Sequence, residues 1–85
     1  MSGKEELKIL YPHPWTYVVI GVDETAVRAA IDDVLQARAY EVEFSKKSSG
    51  GKYVSLRVMM VVNDEDDRGR IYRSLNDHPA TKIVL

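Results

Sequence analysis

Eighty-five residues with no cysteine make a chain of single-domain size from which disulfides and thiolate metal sites are excluded. Twelve basic residues against thirteen acidic ones leave a net charge of −1, without the basic excess of a protein that holds nucleic acid by its phosphates. The longest aliphatic and methionine run, Val58 to Val62, falls far short of the ~20 residues of a membrane-spanning helix, so the expected setting is the cytoplasm, away from membranes.

Residues 1–13 read as a leader to one domain over residues 14–85. Leu7, Leu10 and Tyr11 have the i, i+3, i+4 spacing of one amphipathic helical turn, which Pro12 and Pro14 stop. Trp15 to Val22 (WTYVVIGV) has the β-branched and aromatic content of a strand. Val27, Ala30, Ile31, Val34 and Leu35 then follow helical spacing, with Asp23 placed to cap the helix. Tyr40 to Phe44 alternates, setting Tyr40, Val42 and Phe44 against Glu41 and Glu43, as a half-buried edge strand does. Ser48-Ser49-Gly50-Gly51 is a hairpin turn, and Tyr53 to Val62 is the strand after it. Asn63 is the expected cap of a second helix, whose first turn holds Asp64, Glu65, Asp66 and Asp67 at the positive end of the helix dipole. Ile71, Tyr72 and Leu75 form its apolar stripe, and Gly69 weakens it by about 1 kcal/mol relative to alanine. His78-Pro79 ends it, and Thr81 to Leu85 is a short last strand.

Right-handed crossovers place both helices on one face of a single sheet. The predicted fold is therefore α+β, a ferredoxin-like βαββαβ with four antiparallel strands in the order 4-1-3-2. In strand three, Val54, Leu56, Val58, Met60 and Val62 point toward the helices. In strand one Val18 and Ile20 are expected to join them. That leaves Trp15, Tyr17, Val19, Arg57, Met59 and Val61 on the open face, a large apolar surface. Either the leader folds over it with Leu7, Leu10 and Tyr11, or it meets another protein, most simply a second copy of the chain. The two arrangements are compatible.

No residue set makes a catalytic signature: there is no cysteine nucleophile, no G-x-S-x-G and no histidine beside a nucleophile. His13 and His78 fall at opposite ends of the sheet, on the order of 20 Å apart, too far to share a metal. The acidic run Asp64 to Asp67 lacks the alternating ligands, glycine and distal glutamate of a calcium loop. Neither a metal nor a cofactor is expected. Lys52 follows the glycines of its turn but joins two strands, so it is not a P-loop lysine. An RNA recognition motif wants two aromatics two apart in strand three, where Tyr53 is followed by Ser55. One edge does collect features suited to an anion or an acidic loop: the start of helix one at Gly21 and Asp23, with its free N–H groups, and Lys46, Lys47, Ser48, Ser49 and Lys52 around the hairpin, opposed by the carboxylates of Asp23 and Glu24.

Tyr11-Pro12-His13-Pro14-Trp15-Thr16-Tyr17 with Ile20-Gly21, the hairpin Ser48 to Ser55, and the ending Ile71-Tyr72 through His78-Pro79 to Leu85 together resemble the YbeD-like family of small bacterial proteins of unknown function. The resemblance implies a ferredoxin-like fold akin to ACT regulatory domains, which bind amino acids beside the loop after strand one. Here that loop, Ile20 to Thr25, keeps a glycine but lacks an Asp-x-Pro-Gly turn. The expected function is a non-catalytic regulatory or adaptor module that associates with an unidentified protein, with an ACT-like sensor of an amino acid or anion as the alternative.

Overall fold

The alternation and helical spacing resolve, in a computed structural model that describes residues 9–85, into β1 (His13–Gly21), α1 (Glu24–Leu35), β2 (Tyr40–Lys47), β3 (Val54–Val62), α2 (Glu65–Asp77) and β4 (Ile83–Val84). A 3-10 turn, Ser49–Gly51, links β2 to β3. All strand pairs are antiparallel, and the order β2-β3-β1-β4 is the expected one. No helix among the described residues is long and apolar enough to cross a membrane.

The core lies between the sheet and the two helices. Leu56, Val58, Met60 and Val62 of β3 meet Val27, Ile31 and Leu35 of α1 and Ile71 and Leu75 of α2, all buried. In β1 the facing is the reverse of the expectation. Tyr17 and Val19 are buried in this core, and Val18 and Ile20 look out from the other face. The pairing explains it: Trp15 lies opposite Met60, Tyr17 opposite Val58 and Val19 opposite Leu56. Residues directly opposed across an antiparallel pair share a face. Tyr17 also suits the interior chemically, because its hydroxyl donates to the Arg68 carbonyl of α2 at 2.8 Å. Burial, with Asp67 nearby, pushes that phenol up to about 12.

Helix capping differs from the expectation at both starts. Asp23 takes the cap position of α1 with extended backbone, but its side chain makes no capping bond. At α2 the cap is Asp64 rather than Asn63, and its Oδ1 accepts from the Asp67 amide at 2.7 Å. Asp67 reaches back, its Oδ2 accepting from the Asn63 amide at 2.9 Å. The same buried carboxylate receives both arms of Arg38, from the loop before β2, at 2.9 Å each. Arg38 also donates to the Val61 carbonyl at 3.2 Å. One guanidinium thus joins the α1–β2 loop, β3 and the start of α2.

Two edges close differently. The Val84 amide of β4 donates to Asn76 Oδ1 of α2 at 3.2 Å, which occupies a donor that an incoming strand would use. At the β2 edge a bulge between Phe44 and Lys46 interrupts the ladder, a common guard against edge pairing. The hairpin beyond it turns through Gly50 and Gly51 at φ +83° and +72°, a region where a side chain is strained. Ser48 fastens it, its Oγ accepting from the Tyr53 amide at 2.9 Å.

Candidate functional site

The open face carries Thr16, Val18 and Ile20 from β1 and Ser55, Arg57, Met59 and Val61 from β3, with Ile83 from β4 beside Ile20. Val61 and Ile83 are 51% and 46% exposed. Arg57, Met59 and Val61 stand where the sequence placed them; Trp15, Tyr17 and Val19 do not, for the register reason given above. Arg57 is paired, its Nη2 lying 2.7 Å from Glu43 Oε1 on the neighbouring strand. The covering role expected of the leader is not taken by its described part. Ile9 and Leu10 are exposed and not helical, and Tyr11 packs against the helix-side core, where Arg68 Nη1 donates to its hydroxyl at 2.9 Å. Leu7 lies outside the described residues.

The lysine edge is only partly assembled. Lys46 and Ser48 join Ile20, Tyr53, Val54 and Ser55 around a shallow hollow of ≈240 Å³ on the open face. Gly21 belongs to the packing instead. A Cβ there would collide with Val27 Cγ2 and come within 2.6 Å of the Ala80 carbonyl oxygen, so the glycine lets the start of α1 and the turn before β4 close over β1. Asp23, Lys47 and Ser49 are exposed and Lys52 Nζ lies 5.5 Å over the Tyr53 ring; none of the four lines the hollow. His13 pairs with Val62 at the start of β1. His78 sits near the other end, its Nδ1 accepting from the Ala80 amide at 3.2 Å and its Nε2 3.4 Å from Asp33.

A further set of residues, on α2, was not singled out as a site in the sequence. The Arg68 guanidinium lies 4.5 Å over the half-buried Trp15 ring, a cation–π contact. Two adjoining hollows share Arg68, Gly69 and Arg73. One, of ≈390 Å³, is walled by Trp15, Tyr72 and Leu85; the other, of ≈470 Å³, by Glu65 and Asp66. The one sequence signal was Gly69, a poor helix former in the middle of a helix. The sequence reading puts Trp15 on the other face, where nothing connects it to Arg68.

Residues 6–85 match the family described as protein of unknown function DUF493. The chain belongs to that family. It is 32% identical to a UPF0250 protein of Hahella chejuensis, covering 99% of this chain and 97% of that one. It is also 32% identical to the uncharacterized protein Cj0253 of Campylobacter jejuni, with coverage of 96% and 92%. The YbeD-like resemblance is consistent with this membership. Among solved structures, the solution structure of HP0495 from Helicobacter pylori superimposes with a TM-score of 0.82 at 24% identity, covering 100% of this chain and 93% of that one. The ACT domain from the GTP pyrophosphokinase of Chlorobium tepidum superimposes with a TM-score of 0.62 at 12% identity, covering 86% and 95%. The DUF493 chain thus has an ACT-like fold.

Proposed function

We propose that this DUF493 chain is a non-catalytic regulatory or adaptor module that works by binding another protein, or a second copy of itself, through the open face of the sheet. The observation that carries the reading is the apolar stripe Val18, Ile20, Met59, Val61 and Ile83, over which no described segment packs. An exposed apolar patch on a charged domain marks an association surface, and Arg57, which lies opposite Val18 and is paired with Glu43, brings a charged pair into it. The test uses the full chain and a Met59→Glu, Val61→Glu double variant as baits in native extract, with sedimentation of each across a dilution series. Wild type should retain a partner, or dimerise, in a way the double variant does not. Identical captured sets and identical sedimentation would remove the open face as the contact surface.

A second reading, the ACT-like small-ligand sensor, is favoured by the hollow beside Lys46 and Ser48 and by the ACT-like fold. It predicts a rise in melting temperature with some member of a panel of amino acids and small anions, lost in Lys46→Gln. The adaptor reading predicts no response across that panel.

A further inference from the structure

We infer that the trough along α2 around Gly69 binds an extended acidic peptide segment of a partner protein. An apolar side chain of that segment rests on Trp15, Tyr72 and Leu85, and an adjacent carboxylate lies between Arg68 and Arg73. The trough is on the helix-covered side of the domain and reaches the β4 edge at Leu85, whose backbone pairs with Val18; Met59 and Val61 of the open face take no part in it.

Three observations converge on it. The first is Gly69. A glycine in a helix interior costs about 1 kcal/mol relative to alanine, and here packing does not demand it. A Cβ at this position would meet only Arg73 Nη1, at 3.2 Å, the movable end of a long side chain. What the glycine leaves is a bare turn of helix at the floor of both hollows, the feature expected where another backbone comes close.

The second is charge. Among the described residues Arg73 forms no ion pair, and the carboxylate nearest Arg68 is the exposed Glu65, at 4.0 Å. Arg68 is nonetheless held in place, stacked on Trp15 and bonded to the Tyr11 hydroxyl. A guanidinium already positioned loses less freedom when a carboxylate arrives.

The third is shape. A small-molecule pocket encloses some 70–90% of its ligand, whereas these hollows are shallow and adjoin along the helix. They suit a chain lying lengthwise. Glu65 and Asp66 wall only one of the two hollows and repel a carboxylate there, so the acidic residue of the segment belongs on the Trp15 side of the shared Arg68 and Arg73, beside the apolar wall.

Trp15 is the only tryptophan, so its fluorescence reports this trough directly. The probes are acetylated, amidated hexapeptides with one Leu, Phe or Tyr flanked by Glu, each paired with a version carrying Gln for Glu. At least one Glu peptide should change Trp15 emission saturably, and its Gln version should bind about tenfold or more weakly, the effect of losing a hydrogen bond to a charged group. Arg73→Gln should weaken binding by about the same factor. Gly69→Leu should abolish it while holding or raising the melting temperature, because leucine is the better helix former. Lys46→Gln should change nothing. The proposal fails if no Glu peptide gives a saturable signal, if Glu and Gln peptides bind alike, or if a folded Gly69→Leu or Arg73→Gln protein binds like wild type. None of these results bears on the open face, which the Met59 and Val61 variant tests by itself.

Discussion

Along β3 the two faces of one strand have opposite fates. Leu56, Val58, Met60 and Val62 are buried against both helices, while Arg57, Met59 and Val61 alternate with them on a surface that no described segment covers. A helix supplies a second apolar layer and so excludes water from one side only. The residues on the other side are equally apolar in places, but their burial depends on something outside the described fold. The lesson is that hydrophobicity does not distinguish the core from the open face here; position relative to α1 and α2 does.

The comparison is tested most strongly at Leu56. Leu56→Ala should cost about 3 kcal/mol, because a fully buried site between sheet and helices cannot collapse around the cavity. The measurement is the shift in urea midpoint at constant slope. A change under about 0.5 kcal/mol, the range of ordinary surface substitutions, would put Leu56 on the wrong face, and with it all of β3.

Arg38→Ala should cost about 2 kcal/mol, since it strands the buried Asp67 carboxylate, although partial exposure of the arginine softens the loss. The hydrogen bonds from Arg38, against the opposing cost of burial, hold the Asp67 carboxyl down to about 2 from an ordinary 3.8. The unfolded chain therefore takes up this proton first. The stabilisation is complete above about pH 4 and is lost as the pH falls toward about 2. Unfolding followed between pH 5 and pH 2 should show this loss in wild type and a flatter profile in Arg38→Ala. An identical slope in the two proteins would mean that the pair does not close the helix side.

Tyr17→Phe sharpens the reversed facing of β1. It should cost about 1 kcal/mol, the net worth of a partly buried hydrogen bond to the Arg68 carbonyl. No change in stability would return Tyr17 to the open face. The smallest effect is expected across the sheet, at Val61→Thr, which should stay within about 0.5 kcal/mol in the isolated chain. A larger loss would mean that Val61 is buried in solution, by a second copy or by residues 1–8.

Much of this architecture was legible because local signals agreed with one another. The spacing from Val27 to Leu35 placed α1, the glycine pair Gly50-Gly51 placed the hairpin, and the alternation of Leu56, Val58 and Met60 with Arg57 placed the faces of β3. Handedness of the crossovers then left one strand order. The family resemblance agreed with the same fold, which the match over residues 6–85 and the ACT-like neighbour support.

The facing of β1 was not legible, and the site reading turned on it. Trp15, Tyr17 and Val19 are apolar on one side, Val18 and Ile20 on the other, so period-two alternation carries no preference. Only pairing with β3 chooses, by setting Tyr17 opposite Val58. That choice moves Trp15 from the open face to α2, beneath Arg68 and beside the hollow that Gly69 lines, and leaves Val18 and Ile20 on the open face. The carboxylate that fastens α2 was hidden for a similar reason. Asp67 stands among four acidic residues, and which of them is buried depends on Arg38, twenty-nine residues away. Local sequence determined the elements because side-chain periodicity and turn residues are properties of neighbouring positions. The tertiary structure decided which side chains meet, because strand register and buried ion pairs join residues that no local pattern connects.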